Sequence, residues 1–115
     1  METYKIGIIG AGVIADFHAQ AIQAMDGAKL VAAFARKEDK ASAFSTKYGC
    51  QGYSDLDTFL AHPDMQVVTI CSVSGAHLEH TTAAANAGKH IICEKPLEVT
   101  TERIDQMIRV CEENN

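Results

Sequence analysis

At 115 residues, 47% of them apolar, the chain is sized for one globular domain with a packed core. Its net charge of −5 argues against binding to a nucleic-acid backbone, which requires clustered Lys and Arg. No apolar run approaches a membrane span and no basic, then apolar, segment opens the chain, so a cytoplasmic protein with neither nucleic-acid nor membrane partners is expected.

Strand and helix patterns alternate along the chain. Tyr4–Ile9 is a short apolar strand. Residues 13–25 follow with helical spacing, Ile14, Phe17, Ala21, Ile22 and Met25 falling largely on one face, and Gly27 ends that helix. Residues 29–34 form the second strand, and a helix from Glu38 to Tyr48 stops at Gly49. Ser54 is placed to cap a short helix through Leu60, with Asp55 and Asp57 at its positive end. Pro63 breaks the chain before a Val- and Ile-rich third strand at 66–71. A loop at 72–77 leads to an alanine-rich helix at 78–87, ended by Gly88. His90–Cys93 is the fourth strand, and Thr100 caps a last helix to about Glu113. Near-continuous apolar strands joined by helices mean a parallel sheet covered on both faces.

The turn after the first strand carries the chemistry. Gly10-Ala11-Gly12-Val13-Ile14-Ala15 fits G-x-G-x-x-G/A between a strand and a helix, the setting of a dinucleotide-binding unit. Gly10 allows the tight turn, Gly12 lets a pyrophosphate approach the backbone, and Ala15 lets the helix pack near the strand. The pyrophosphate would rest on the free N–H groups of Val13 and Ile14 at the helix start. A tight turn that binds nothing and a methyl-donor-binding fold are the other readings of these six residues.

Where NAD-binding domains place an acidic residue for the ribose hydroxyls, this chain has Ala35, followed by Arg36 and Lys37. A guanidinium and an ammonium suit a 2′-phosphate, which favours NADP over NAD; otherwise the pair is a solvated start to the next helix. Ser72 and Ser74 lie in the loop after the third strand, at the same sheet edge, where either could bond a ribose. His77 could face the cofactor, and Ser74 and His77 could equally serve the next helix. His18, on the first helix, reads as a packed or surface histidine and not as a ligand.

Glu94-Lys95-Pro96 ends the fourth strand. The apolar strand before Lys95 would partly desolvate its amine, Glu94 could pair with it, and Pro96 fixes the backbone behind it. A surface lysine at a strand end is the alternative. Of the four cysteines (Cys50, Cys71, Cys93 and Cys111), none forms a Cys-x-x-Cys pair, so no metal site is expected and a reducing compartment is.

These segments, with Ala41 to Gly49, Tyr53-Ser54-Asp55-Leu56, Val67-Val68-Thr69-Ile70, His77-Leu78-Glu79-His80 and above all Gly88 to Leu97, resemble the N-terminal domain of the Gfo/Idh/MocA oxidoreductases. The resemblance implies an α/β fold, a Rossmann-type doubly wound parallel sheet, with residues 1–115 as the dinucleotide-binding domain. It further implies an NAD(P)-dependent enzyme acting on a sugar or polyol hydroxyl and homo-oligomeric at full length; nucleotide sensing without catalysis is the alternative. By resemblance, Lys95 touches the reacting hydroxyl or the nicotinamide ribose, Glu94 helps position it and the nicotinamide end of the cofactor, and Arg36 meets the adenosine ribose end. Ala35 and Val73-Ser74 depart from the acidic residue and the Pro-Asn that many members carry. The family's later strands and its C-terminal α/β substrate domain fall outside residues 1–115, so the chain alone is expected to bind nucleotide without turnover.

Overall fold

The computed structural model describes residues 3–72, 74–95 and 100–114, except the side chain of Ser74. Val73 and Pro96 therefore lie outside the described residues. The elements are β1 (Tyr4–Ile9), α1 (Val13–Ala24), β2 (Ala28–Phe34), α2 (Glu38–Tyr48), β3 (Gln51–Tyr53), α3 (Leu56–Leu60), β4 (Val67–Ile70), α4 (His77–Asn86), β5 (His90–Cys93) and α5 (Thr101–Asn114). A single 3₁₀ turn, Ser74–Ala76, leads into α4.

All strand pairs are parallel, in the order β3-β2-β1-β4-β5. This is the Rossmann order through its fifth strand. The chain winds outward from β1 to β3, then returns to β4 on the other side. The direction of winding reverses between β1 and β4, and their C-terminal ends open a crevice there.

Burial on both faces explains why β1 reads as continuous apolar sequence. Ile6 and Ile8 pack with Ala15, Ala19, Ile22, Leu30, Ala33 and Phe44 under α1 and α2. On the other face Ile9 joins Phe34, Phe59, Met65, Val68 and Ile70 under α3 and α4. Gly7 has no side chain because there is no room for one: a Cβ there would lie 2.3 Å from Met65 Sδ and 2.8 Å from Phe59 Cζ.

Four sequence expectations are corrected. The buried face of α1 is Ala15, Ala19 and Ile22, whereas Phe17 is 62% exposed and Ile14, Ala21 and Met25 also face out. Both sets have helical spacing, but only small side chains let the helix lie close on β1. That helix ends at Ala24, with Gly27 (φ 82°) in the turn that follows. The cap of α3 is Asp55, one residue after Ser54: its Oδ2 accepts from the Thr58 N–H at 2.9 Å and the Thr58 hydroxyl at 2.6 Å. Finally, the sheet has a strand the pattern hid, β3, whose three residues Gln-Gly-Tyr are too few to show alternation. At the other end of the chain the Thr100 hydroxyl accepts from the Arg103 N–H at 3.2 Å, the cap expected for α5.

Candidate functional site

The crevice is a cleft of about 700 Å³. Its walls include Gly10 and Gly12 from the turn after β1, Ala35, Arg36 and Lys37 from the end of β2, Lys40 from α2, and Ser72 and His80 from the β4 side. Five residues singled out from sequence, Gly10, Gly12, Arg36, Lys37 and Ser72, thus meet in one cavity although they span more than half the chain.

The turn is built to admit a ligand to its backbone. Gly10 has φ 119°, which side chains rarely adopt, and a Cβ there would press on the Cys71 carbonyl oxygen at 2.8 Å. Gly12 is different: it has an ordinary backbone and nothing within 4 Å of a built Cβ. Its lack of a side chain answers no neighbour among the described residues. Gly12 is also the N-cap of α1, and no side chain caps that helix. The first-turn N–H groups of α1, including those of Val13 and Ile14, have no partner within the helix and sit at its positive end. An anionic diphosphate fits such a cradle.

Cations gather at the β2 side of the cleft, where Arg36, Lys37 and Lys40 line the wall and no carboxylate occupies position 35. Glu79 also borders the cleft, but an ion pair with Arg103 draws it toward α5. His80 accepts or donates at Nδ1 with the Ser72 hydroxyl (2.7 Å), and its ring stands edge-on to Phe34 at 6.0 Å. Burial lowers the pKa of His80, so it presents a neutral ring to the cleft near pH 7. Lys40 and His80 were missed from sequence. Lys40 continues the basic run one helical turn beyond Arg36 and Lys37, and that spacing was the available signal.

His77 does not reach the cleft. It is buried, begins α4, and its Nε2 donates to the Ser72 carbonyl at 2.8 Å. It anchors the loop that carries Ser72. Glu94 and Lys95 stand together at the end of β5, outside the cleft walls, with Lys95 exposed and its N–H 3.3 Å from Glu94 Oε1. Glu94 bonds His18 of α1, whose ring also meets Thr69 of β4. The His18 hydrogen bond, ahead of the Lys95 N–H, holds the Glu94 carboxyl below its ordinary range. Among the described residues no cluster of His, Cys, Asp or Glu could hold a metal, and no helix is long and apolar enough to cross a membrane.

A doubly wound parallel sheet with a glycine turn at its switch point defines the class: a dinucleotide-binding domain. The family model of the Gfo/Idh/MocA oxidoreductases, NAD-binding Rossmann fold, matches residues 4–115, and the chain belongs to that family. This sets aside the methyl-donor reading. The chain is 35% identical over 105 residues to the myo-inositol 2-dehydrogenase of Thermotoga maritima, covering 90% of this chain and 31% of that protein. Among solved structures, the scyllo-inositol dehydrogenase of Lactobacillus casei superposes with a TM-score of 0.89 at 34% identity, covering 98% of this chain and 34% of the other. The WlbA dehydrogenase of Bordetella pertussis, in complex with NADH and UDP-GlcNAcA, superposes at 0.93 with 28% identity, over 98% of this chain and 35% of that one. The chain spans about a third of the length of the relatives it matches.

Proposed function

We propose that this chain, as a single domain over residues 1–115, is the cofactor-holding part of a dehydrogenase that oxidises a sugar or polyol hydroxyl. When bound, the nicotinamide supplies the acceptor for the hydride leaving a carbinol carbon. The chain's own residues bind and orient. Val13 and Ile14 N–H groups at the start of α1 hold the diphosphate over Gly12, and Gly10 keeps the turn tight. Ser72 bonds a ribose from the β4 side, and Ser74 is proposed to share that role. His77 supports the Ser72 loop. Lys95 contacts the reacting hydroxyl or the nicotinamide ribose and is the one catalytic residue proposed within this chain; Glu94 orients it. The substrate pocket, the acid–base pair and a homo-oligomer interface belong to the rest of a full-length protein. The dehydrogenase names of the relatives favour this reading over nucleotide sensing.

The observation that carries the reading is the meeting of Gly10, Gly12, Arg36, Lys37 and Ser72 in one cleft at the switch point. The cofactor proposed is NADP ahead of NAD, since Arg36, Lys37 and Lys40 face the adenosine side without a carboxylate at position 35. Calorimetric titration with each cofactor tests both parts. NADP is expected to bind more tightly, and Arg36→Ala to weaken NADP by about 10–100-fold while sparing NAD. Tighter NAD binding discards the role of Arg36, and binding of neither discards the site.

A further inference from the structure

His18 sits on α1, in the helix that opens with the glycine turn, yet it reaches two other elements. Its Nδ1 is 2.8 Å from Thr69 Oγ1 on β4, and its Nε2 is 2.7 Å from Glu94 Oε2 at the end of β5. Both ring nitrogens are therefore used. An ionised carboxylate only accepts, so Nε2 carries a proton and donates to Glu94, and in the neutral ring Nδ1 accepts from the Thr69 hydroxyl. Thr69 is 1% exposed and is the one hydroxyl-bearing residue in the Val-Val-Thr-Ile strand. Its partner in the next strand is Ile92, which places it two residues before Glu94 along the sheet. The Glu94 N–H is itself bonded to the Ile70 carbonyl at 3.0 Å. Glu94 is thus fixed at backbone and side chain, and Lys95 is the next residue.

We propose that His18 is a positioning residue: through Glu94 it locks the strand end bearing Lys95 to the helix that holds the cofactor's diphosphate. The proposal rests on the reading of Glu94-Lys95 as the nicotinamide end of the site. The two ends of an extended dinucleotide are held by different elements, α1 and β5, and the imidazole ties those elements together. A histidine suits this place because one rigid ring spans Thr69 and Glu94 without the rotamer freedom that two separate side chains would lose. The charged group bonded to the ring is Glu94, which Lys95 follows in sequence; Cys71 lies two residues beyond Thr69.

Binding of NADP and NAD, set beside binding of 2′-phospho-ADP-ribose and ADP-ribose, separates the ends of the site. His18→Ala is expected to weaken the dinucleotides by about tenfold, the order of one charge-assisted hydrogen bond, and to leave the ADP-ribose ligands within about twofold. His18→Gln, whose amide extends to the Nε2 position, should recover most of the loss; His18→Asn, which reaches only the Nδ1 position, should not. In ¹⁵N spectra the wild-type ring should show the Nε2–H form, and Glu94→Gln should shift both that signal and the Lys95 amide. Equal losses for dinucleotides and ADP-ribose ligands, or no dinucleotide loss, or equal behaviour of the Gln and Asn variants, would overturn the role of His18. If the wild-type chain binds no ADP-ribose ligand, the cofactor site itself is refuted and the proposal falls with it.

Discussion

Gly10 and Cys71 meet backbone to backbone. A Cβ on Gly10 would stand 2.8 Å from the Cys71 carbonyl oxygen, and the Cys71 N–H donates to the Ile9 carbonyl at 2.8 Å. The glycine turn is therefore pressed against the end of β4, while Gly12, two residues on, faces open space.

The two glycines should respond differently to the same substitution. Gly10→Ala combines a φ of 119° with a backbone clash and is expected to destabilise the fold by about 2–3 kcal/mol. Gly12→Ala meets neither obstacle and should cost under about 1 kcal/mol, the scale of an N-cap change. Yet it puts a methyl where the diphosphate is proposed to lie, so cofactor affinity should fall at least tenfold. Urea denaturation beside calorimetry separates these effects. A Gly12→Ala chain that binds NADP as the wild type does would count against the cradle.

Gly7 tests the core in the same manner. Its missing side chain is replaced by Met65 Sδ and the Phe59 ring from the α3 side. Gly7→Ala is expected to destabilise by about 1–3 kcal/mol through overpacking. Met65 is flexible and Phe59 is wholly buried, so shortening Met65 should relieve part of the strain. In a double-mutant cycle, Gly7→Ala and Met65→Ala together should cost less than the sum of the two singles; strict additivity would contradict the packing described.

What could be read from the sequence follows from how local each signal is. The glycine turn was legible because Gly10, Gly12 and Ala15 act within six residues and the context of strand and helix is local too. Arg36 and Lys37 were legible through an absence, the alanine at 35. β3 was hidden because its place depends on pairing with β2, and Gly52 there answers a contact with the Ala41 carbonyl that no spacing reveals. The bonds that His18 makes as a packed histidine were hidden for the same reason. Its partners lie 51 and 76 residues away, and a lone histidine on a helix carries no mark of them. The face of α1 failed otherwise: periodicity allowed two stripes, and close approach to the sheet selected the alanines.

Asp16 gives the fold a titratable tie. Its carboxylate accepts from the Tyr48 hydroxyl at 2.6 Å and from the Lys47 ammonium at 3.1 Å, joining α1 to α2. The Tyr48 bond first, then Lys47, holds its pKa below the ordinary carboxylate value. A depressed folded-state pKa adds stability above the unfolded value near 4, lost as pH falls through the lower folded value. Both partners touch water, so the contribution should be below about 1 kcal/mol. Chemical denaturation from pH 5 down to pH 3 should therefore show a smaller loss in Tyr48→Phe than in the wild type. An identical slope in the two chains would mean that the Asp16 contact is not maintained in solution.

Cys71 lines the cleft beside the glycine turn, and its thiol is pushed up to about 12. Burial is the main cause and the charge of Glu94 adds to it, while the neighbouring Thr69 side chain works in the opposite direction. At pH 8 only about one Cys71 in 10⁴ is then a thiolate, the form that attacks an alkylating reagent. Cys50 and Cys111 are raised by burial as well, but not to that extent. Iodoacetamide labelling followed by peptide mass analysis should find Cys71 modified later than either. Raising the pH from 8 to 9 should speed Cys71 about tenfold without levelling off, since its titration lies well above that range. Saturating NADP should slow it further by covering the cleft wall, while leaving Cys111, remote on α5, unchanged. Cys71 labelled ahead of Cys111, or a Cys71 rate indifferent to cofactor, would break the link between this strand end and the cleft.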